Sequence, residues 1–266
     1  MATKTRRKFI FGTLGILGTG LAAAWFSRRS IIRWGMQSER NTNLQLSPAP
    51  AADGKLCLLT SRQVEGPFYF PSPERKDIRE DRTGKPLNLR MQLLRHPDCS
   101  PIEGAVVEIW HTDAEGVYSG YPTEIAHDVW KTILLVGKNG VKRNGEYHVE
   151  PVAETRFLRG LQRTDANGWV EFNTIFPGWY EGRVPHIHFK VYVGEQEYLN
   201  SQFYLEQATC DRIYTTVAPY AQHGKCPLSF ENDIALKDTA NGLLLKPTWA
   251  DDALMEAVAR IGLRQV

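Results

Sequence analysis

His186, Ile187 and His188 place two imidazoles two residues apart inside a run, 186–193, that alternates between polar and apolar side chains. Residues i and i+2 of a strand project from the same face. The two rings therefore stand side by side and form half of a metal site, although an ordinary half-exposed strand carries the same pattern. Just ahead of the pair, Pro177-Gly178-Trp179-Tyr180-Glu181-Gly182-Arg183 forms a loop able to bring a phenol and a guanidinium to the same place. Neutral imidazole suits zinc, iron, copper and nickel, so the other ligands must choose the metal. Near the pair there is no HExxH, no cysteine pair at zinc-finger spacing and no carboxylate placed to complete a facial triad. The oxygen donors on offer are phenols. A phenol has a pKa of about 10, and a trivalent metal can deprotonate it outright. Two tyrosinates with two imidazoles thus suit Fe(III) better than Zn(II). Tyr118, in Glu115-Gly116-Val117-Tyr118-Ser119-Gly120-Tyr121, ends a strand-turn unit and is the natural second phenol. Spacing leaves open whether it meets Tyr180.

Short strands must position such a set. Residues 87–93 alternate apolar and polar, the period of a half-buried strand. Residues 105–110 add β-branched and aromatic content before the turn chemistry of Asp113-Ala114-Glu115-Gly116. Thr164-Asp165-Ala166-Asn167-Gly168 is a further turn, and 169–172 returns as a strand. Repeated short strands at this spacing predict an all-β fold. We expect a β-sandwich of two mainly antiparallel sheets with long functional loops and little helix. Helical signal is confined to 220–223 and 251–261, and no internal repeat is present.

Charge separates the chain into a leader and a body. The formal net charge of +2 hints at an acidic partner. Yet residues 1–35 hold seven of the 32 basic residues and no acidic one, so the remaining 25 face 30 acidic residues and the body carries −5. Nucleic-acid binding thereby loses its electrostatic support. Arg6 and Arg7 precede Phe9 and an apolar run to Trp25, the layout of a twin-arginine export signal. Arg28 and Arg29 close the run on its far side, so retention as a membrane anchor is the alternative. We expect residues 1–35 to be this signal or anchor, 36–55 a linker, and 56–266 the functional domain, exported to the periplasm or beyond. All four cysteines, Cys57, Cys99, Cys210 and Cys226, lie in that domain. Four cysteines allow three pairings. Cys210 with Cys226 closes a short loop and is preferred, while a body this large does not need staples and fits reduced thiols as well.

The motif order resembles the intradiol ring-cleavage dioxygenases. Trp110-His111-Thr112-Asp113, running on to Tyr118-Ser119-Gly120, is similar to the family's first ligand motif. Phe157-Leu158-Arg159-Gly160 and the turn at 164–168 resemble its middle segment. Pro177-Gly178-Trp179-Tyr180, with Arg183-Val184-Pro185-His186-Ile187-His188-Phe189, resembles its second ligand motif. Glu65-Gly66-Pro67-Phe68-Tyr69, residues 77–81 and Ser201-Gln202-Phe203-Tyr204 also match, so the resemblance covers roughly residues 57–235. It is nearest to the protocatechuate 3,4-dioxygenase-like branch. The resemblance implies one mononuclear non-haem Fe(III) held by Tyr118, Tyr180, His186 and His188. It implies a catechol-type substrate and O2, with the ring cut between its two oxygen-bearing carbons to give a muconate-type diacid. Tyr180 would be the phenolate that leaves when substrate binds, Tyr118 the one that stays. Arg183 would stabilise charge beside the ring, and Gln202 would line the pocket.

Two departures from the family bear on the substrate pocket and on the dimer contacts. The stretch from Tyr180 to Arg183 is very short, and no long helical region precedes residue 57 as in the catechol 1,2-dioxygenases. Two rival classes are an exported non-catalytic β-sandwich binding module and a zinc-dependent hydrolase using the HxH pair. Blander roles are expected elsewhere. His96, His127, His148 and His223 read as surface or loop residues, and His111 as structural. Trp110, Trp169 and Phe172 read as core, and Glu65, Asp77, Glu80 and Asp81 as a solvated face.

Overall fold

The computed structural model describes residues 49–50, 56–57, 59–143, 145–233, 235–236 and 243–264. The expected leader, and all of the expected linker except 49–50, lie outside the described residues. Strands run in the order β1 (Ala49–Pro50), β2 (Leu56–Cys57), β3 (Pro86–His96), β4 (Ser100–Pro101), β5 (Val106–Trp110), β6 (Val141–Arg143) and β7 (Glu146–His148). They continue as β8 (Arg159–Arg163), β9 (Trp169–Ile175), β10 (His186–Val193), β11 (Gln196–Leu205), β12 (Leu244–Leu245), β13 (Thr248–Trp249) and β14 (Met255–Arg264). Helices are α1 (Val129–Asn139), α2 (Gln207–Thr216) and α3 (Tyr220–His223).

One sheet has the order β12-β11-β10-β5-β8, and the other joins β13, β14, β3 and β4, with β9 also paired to β3. Pairing within the two is antiparallel except for β11 with β12 and β3 with β14. This is the all-β sandwich the alternation predicts. The facing sides supply one core: Leu87, Leu89 and Met91 of β3, Phe172 of β9, and Ile187, Phe189 and Val191 of β10. Each of these alternate residues leaves water for the space between the sheets, which is how a period of two becomes a layer.

Residues 251–261 correct the helical expectation. β14 occupies most of that stretch and pairs in parallel with β3 from Met255 opposite Leu87 to Arg264 opposite His96. Met255, Ala257, Ala259, Ile261 and Leu263 face the core, while Glu256, Val258 and Arg260 face out. Alanine, glutamate and arginine favour helix locally, but the period-two burial and a ten-residue ladder outweigh that preference. The helix at 220–223 forms, whereas α1 and α2 went unseen in the sequence.

The outer face of the β12-β11-β10-β5-β8 sheet is also buried. His186, His188 and Lys190 project there from β10, Glu108 and Trp110 from β5, Arg159 from β8 and Gln202 from β11, all under 6% exposed. Long loops roof this face: Phe68, Phe70, Tyr118, Tyr121, Ile125 and Val149 pack with Trp110 as a second apolar cluster. Strand β10 is therefore fully covered over His186–Val191, not half-exposed.

Candidate metal centre

Strand register sets one line of the site. Trp110 pairs with Arg159 on one side and with His188 on the other, and His188 pairs with Gln202. The row Arg159, Trp110, His188, Gln202 thus crosses four strands, with His186 two residues along on the same face. The Trp110 indole stacks on the His188 imidazole with centroids 4.7 Å apart and planes 5° from parallel.

Tyr118 and Tyr180 arrive on two loops stitched to each other. The Asp113 Oδ1 accepts from the Glu115 and Val117 amides, both at 3.0 Å, closing a turn ahead of Tyr118. Thr112 Oγ1 donates to Gly178 O at 2.8 Å, and the Gly178 amide donates to Asp113 O at 2.9 Å. Two glycines permit this approach. A Cβ on Gly178 would meet the carbonyls of Asp113 and Ala114, and one on Gly116, which has φ +84°, would meet the Trp179 carbonyl.

Three donor atoms converge. Tyr118 Oη lies 3.1 Å from His186 Nε2 and 3.0 Å from His188 Nε2, and the two Nε2 atoms are 3.1 Å apart. His186 Nδ1 donates to Val184 O at 2.7 Å, which leaves the Nε2 lone pair aimed at the centre. Tyr180 closes the set, its ring centroid 5.6 Å from both Tyr118 and His186, and the positive Arg183 favours its phenolate electrostatically. Donors bound at about 2.0–2.1 Å to one first-row ion and near right angles to each other stand roughly 3 Å apart. The triangle has that edge, so these residues fit a single metal ion. Burial pushes the His186 pKa down to about 3 and that of His188 well below the ordinary value, so both imidazoles are held neutral, the form that ligates. Burial also pushes both phenols up; only a strong positive charge at the centre reverses that. Among the described residues no trio of His, Cys, Asp or Glu gathers around a point, so the histidines lack the carboxylate that a zinc hydrolase would use.

Arg183 is held by two partners beside this set. Its Nε donates to both oxygens of Asp233, at 2.9 and 3.0 Å, and its Nη2 donates to Gln202 Oε1 at 2.5 Å. Gln202 Nε2 in turn donates to Val64 O at 2.5 Å, and Tyr204 Oη donates to Gln202 Oε1 at 3.2 Å. Asp233 further accepts from the Val184, Ala235 and Leu236 amides. Burial works against the charge of both partners, but their mutual attraction together with the surrounding phenols and amide donors reverses it: the Arg183 pKa is raised and that of Asp233 lowered.

The structure brings together all six residues singled out in the sequence and adds Asp233, Trp110 and Arg159. Asp233 lies 50 residues from Arg183 in sequence, and no local motif announces it. Register alone reveals that Trp110 backs His188. Glu65 corrects the solvated-face expectation: it is 6% exposed and pairs with Lys190 Nζ at 2.8 Å, whereas Asp77, Glu80 and Asp81 are exposed. A buried carboxylate needs its counter-charge, and Lys190, two residues past His188, supplies it. His148 is buried, not superficial, and its pKa is lowered chiefly by that burial. Trp169 is half-buried under the Arg90 guanidinium rather than in the core. His111 is structural as expected, bridging Thr112 O and Thr174 Oγ1, both at 2.7 Å. The preferred Cys210–Cys226 bridge is not made. Both are buried thiols, hydrogen-bonded to the carbonyls of Leu205 and Arg183 respectively.

Residues 64–222 match the family model described as dioxygenase, a span that takes in every donor of the centre. The chain belongs to the intradiol ring-cleavage dioxygenase family. It is 30% identical to an intradiol ring-cleavage dioxygenase from Tetranychus urticae, with a TM-score of 0.65 over 78% of this chain and 95% of that one. Catechol 1,2-dioxygenase 1 of Acinetobacter lwoffii is 27% identical over 203 residues, 66% of this chain and 56% of its own. A chlorocatechol 1,2-dioxygenase of Cupriavidus pinatubonensis is 28% identical over 152 residues, 54% of this chain and 53% of its own. The chain thus spans about half the length of these curated relatives.

Proposed function

We propose that the chain holds one ferric ion through Tyr118, Tyr180, His186 and His188 and uses O2 to cleave a catechol-type ring between its hydroxyl-bearing carbons. The observation that carries this is the convergence of one phenol and two neutral imidazoles on a point, with a second phenol alongside. When bound, such an ion supplies a Lewis acid that draws electron density from a chelated diol and opens the ring to O2. The chain's own residues do the rest. As a phenolate, Tyr180 would be the base best placed to take a substrate proton, since the positive charge of Arg183 favours its anion. Arg183, fixed by Asp233 and Gln202, presents a positive charge in a dry site where negative charge grows on the ring, and it needs no reorganisation to do so. Trp110 and Phe68 wall the donors against water.

The relatives' names favour catechol or chlorocatechol over the protocatechuate branch that the motifs first suggest. The short stretch after Tyr180 keeps hydroxyquinol and protocatechuate in the trial panel. We also read residues 1–35 as an export leader, on the Arg6-Arg7 pair and the apolar run that follows. The decisive experiment is a visible spectrum of ferric-loaded protein together with O2 uptake on the four diols. Phenolate-to-iron charge transfer gives a broad band and a burgundy colour. Tyr180→Phe is expected to shift the band and to lower turnover at least 100-fold. A colourless ferric protein, or a Y180F variant with unchanged colour and rate, would contradict the assignment.

A further inference from the structure

Helix α1 is apolar, and none of its 11 residues is buried. Its inner side, Leu135 and Val136, packs on the cluster that contains Tyr118 and Tyr121. Its outer side carries Lys131, Leu134 and Lys138, with Leu134 69% exposed. The hairpin that follows adds Val141 and Tyr147, 48% and 55% exposed, and the exposed Lys142. From residue 129 to 143 there are four basic residues and no acidic one, in a body that otherwise carries net negative charge. Three neighbouring acids are already engaged, and Glu124 stands exposed in the turn before the helix. Asp128 caps α1 by accepting from the Trp130 and Lys131 amides, Glu146 accepts from the Glu65 and Gly66 amides, and Glu150 pairs with Arg143. Among the described residues no carboxylate pairs with Lys131, Lys138 or Lys142.

We propose that this lysine-flanked apolar face of α1 and the β6–β7 hairpin docks on an anionic lipid bilayer. Exposed leucine, valine and tyrosine between lysines match the layered chemistry of a bilayer interface, with acyl chains below and anionic headgroups above. A second copy of the chain fits less well. A two-fold contact through this patch would set Lys131, Lys138 and Lys142 against the same lysines of the partner copy. The face stands on the loop layer that roofs the metal centre: Glu181, next to Tyr180, accepts from the Val129 amide at 2.9 Å. Docking there holds the centre close to the membrane and does not depend on the proposed iron chemistry.

The test is cosedimentation of the full-length chain with vesicles of phosphatidylcholine alone or with about one-third phosphatidylglycerol. Each lysine near such a surface contributes roughly fivefold to partition, so the K131E/K138E/K142E variant is expected to bind anionic vesicles at least ~100-fold more weakly. Leu134→Asp is expected to weaken binding roughly tenfold. High salt should abolish the preference for anionic lipid. The leader is common to all variants and cancels from the comparison. Circular dichroism and the thermal midpoint are expected to stay unchanged, because these side chains are exposed. Equal partition of wild type and the triple variant overturns the assignment. So does a vesicle-free dimer that L134D dissolves while vesicle binding persists.

Discussion

Asp233 offers the sharpest perturbation, because it touches Arg183 and none of the four proposed ligands. Its side chain is fully buried, and the Arg183 side chain facing it is 6% exposed. Removing one partner of a buried ion pair strands the other charge and costs about 3–5 kcal/mol. Asp233→Asn keeps the volume and one acceptor oxygen, so the lower end, about 3 kcal/mol, is expected. For a body of this size that lowers the thermal midpoint by about 6–12 °C. The chemical consequence is separate. Without the carboxylate, Arg183 keeps its contact with Gln202 but loses the anchor on Nε that fixes its plane. A displacement of about 1 Å in such a group costs roughly 100-fold in turnover. The loss should fall on kcat more than on KM, and the ferric band should stay where it is, because the donor set is intact. Scanning calorimetry, steady-state O2 uptake and the visible spectrum read these three quantities. Combining D233N with R183Q provides the check on cause: if Asp233 acts only through Arg183, the double variant is no slower than R183Q alone. An extra hundredfold loss in the double variant, or a D233N protein that melts and turns over like wild type, would refute the reasoning.

Two further outcomes follow from the packing. Gly178→Ala drives a Cβ into the backbone of Asp113, Ala114 and Gly116, with the last two contacts at 2.7 Å. We expect a loss of about 1–3 kcal/mol in urea unfolding. We also expect a weakened ferric band, because the loops carrying Tyr118 and Tyr180 are forced apart. The second concerns acid. Burial holds the His111 pKa near 4 in the fold against 6.5 when unfolded. As pH falls below about 6.5 the unfolded chain takes up the proton first. The stabilisation is therefore complete above pH 6.5 and is lost progressively down to about pH 4, where this residue alone has cost about 3 kcal/mol. Urea unfolding across that range should show His111→Gln taking up about one proton fewer on unfolding than wild type; an unchanged slope would contradict the burial account.

The donor types were legible in the linear sequence because they depend on chemistry and local period alone. The His186, His188 pair declares a shared strand face at a separation of two, and a phenol-rich setting without carboxylates is the chemistry that would suit a trivalent metal. The sandwich was legible for the same reason: alternation in 87–93 and 186–193 is a local property of each strand. Local propensity misled at 251–261, where β14 owes its form to a partner some 170 residues earlier in the chain, Leu87 opposite Met255. What only the tertiary structure decided are the meetings across distance. Tyr118 comes within 3.1 Å of His186 across 68 positions, Asp233 clamps Arg183 across 50, and the register of β5 on β10 sets Trp110 against His188. Burial of the outer sheet face, which turns Glu65 from an expected solvated residue into one half of a buried ion pair with Lys190, is likewise invisible locally. These features arise when loops close over a formed sheet, and the free energy that selects them resides in contacts between segments that no local window of sequence contains.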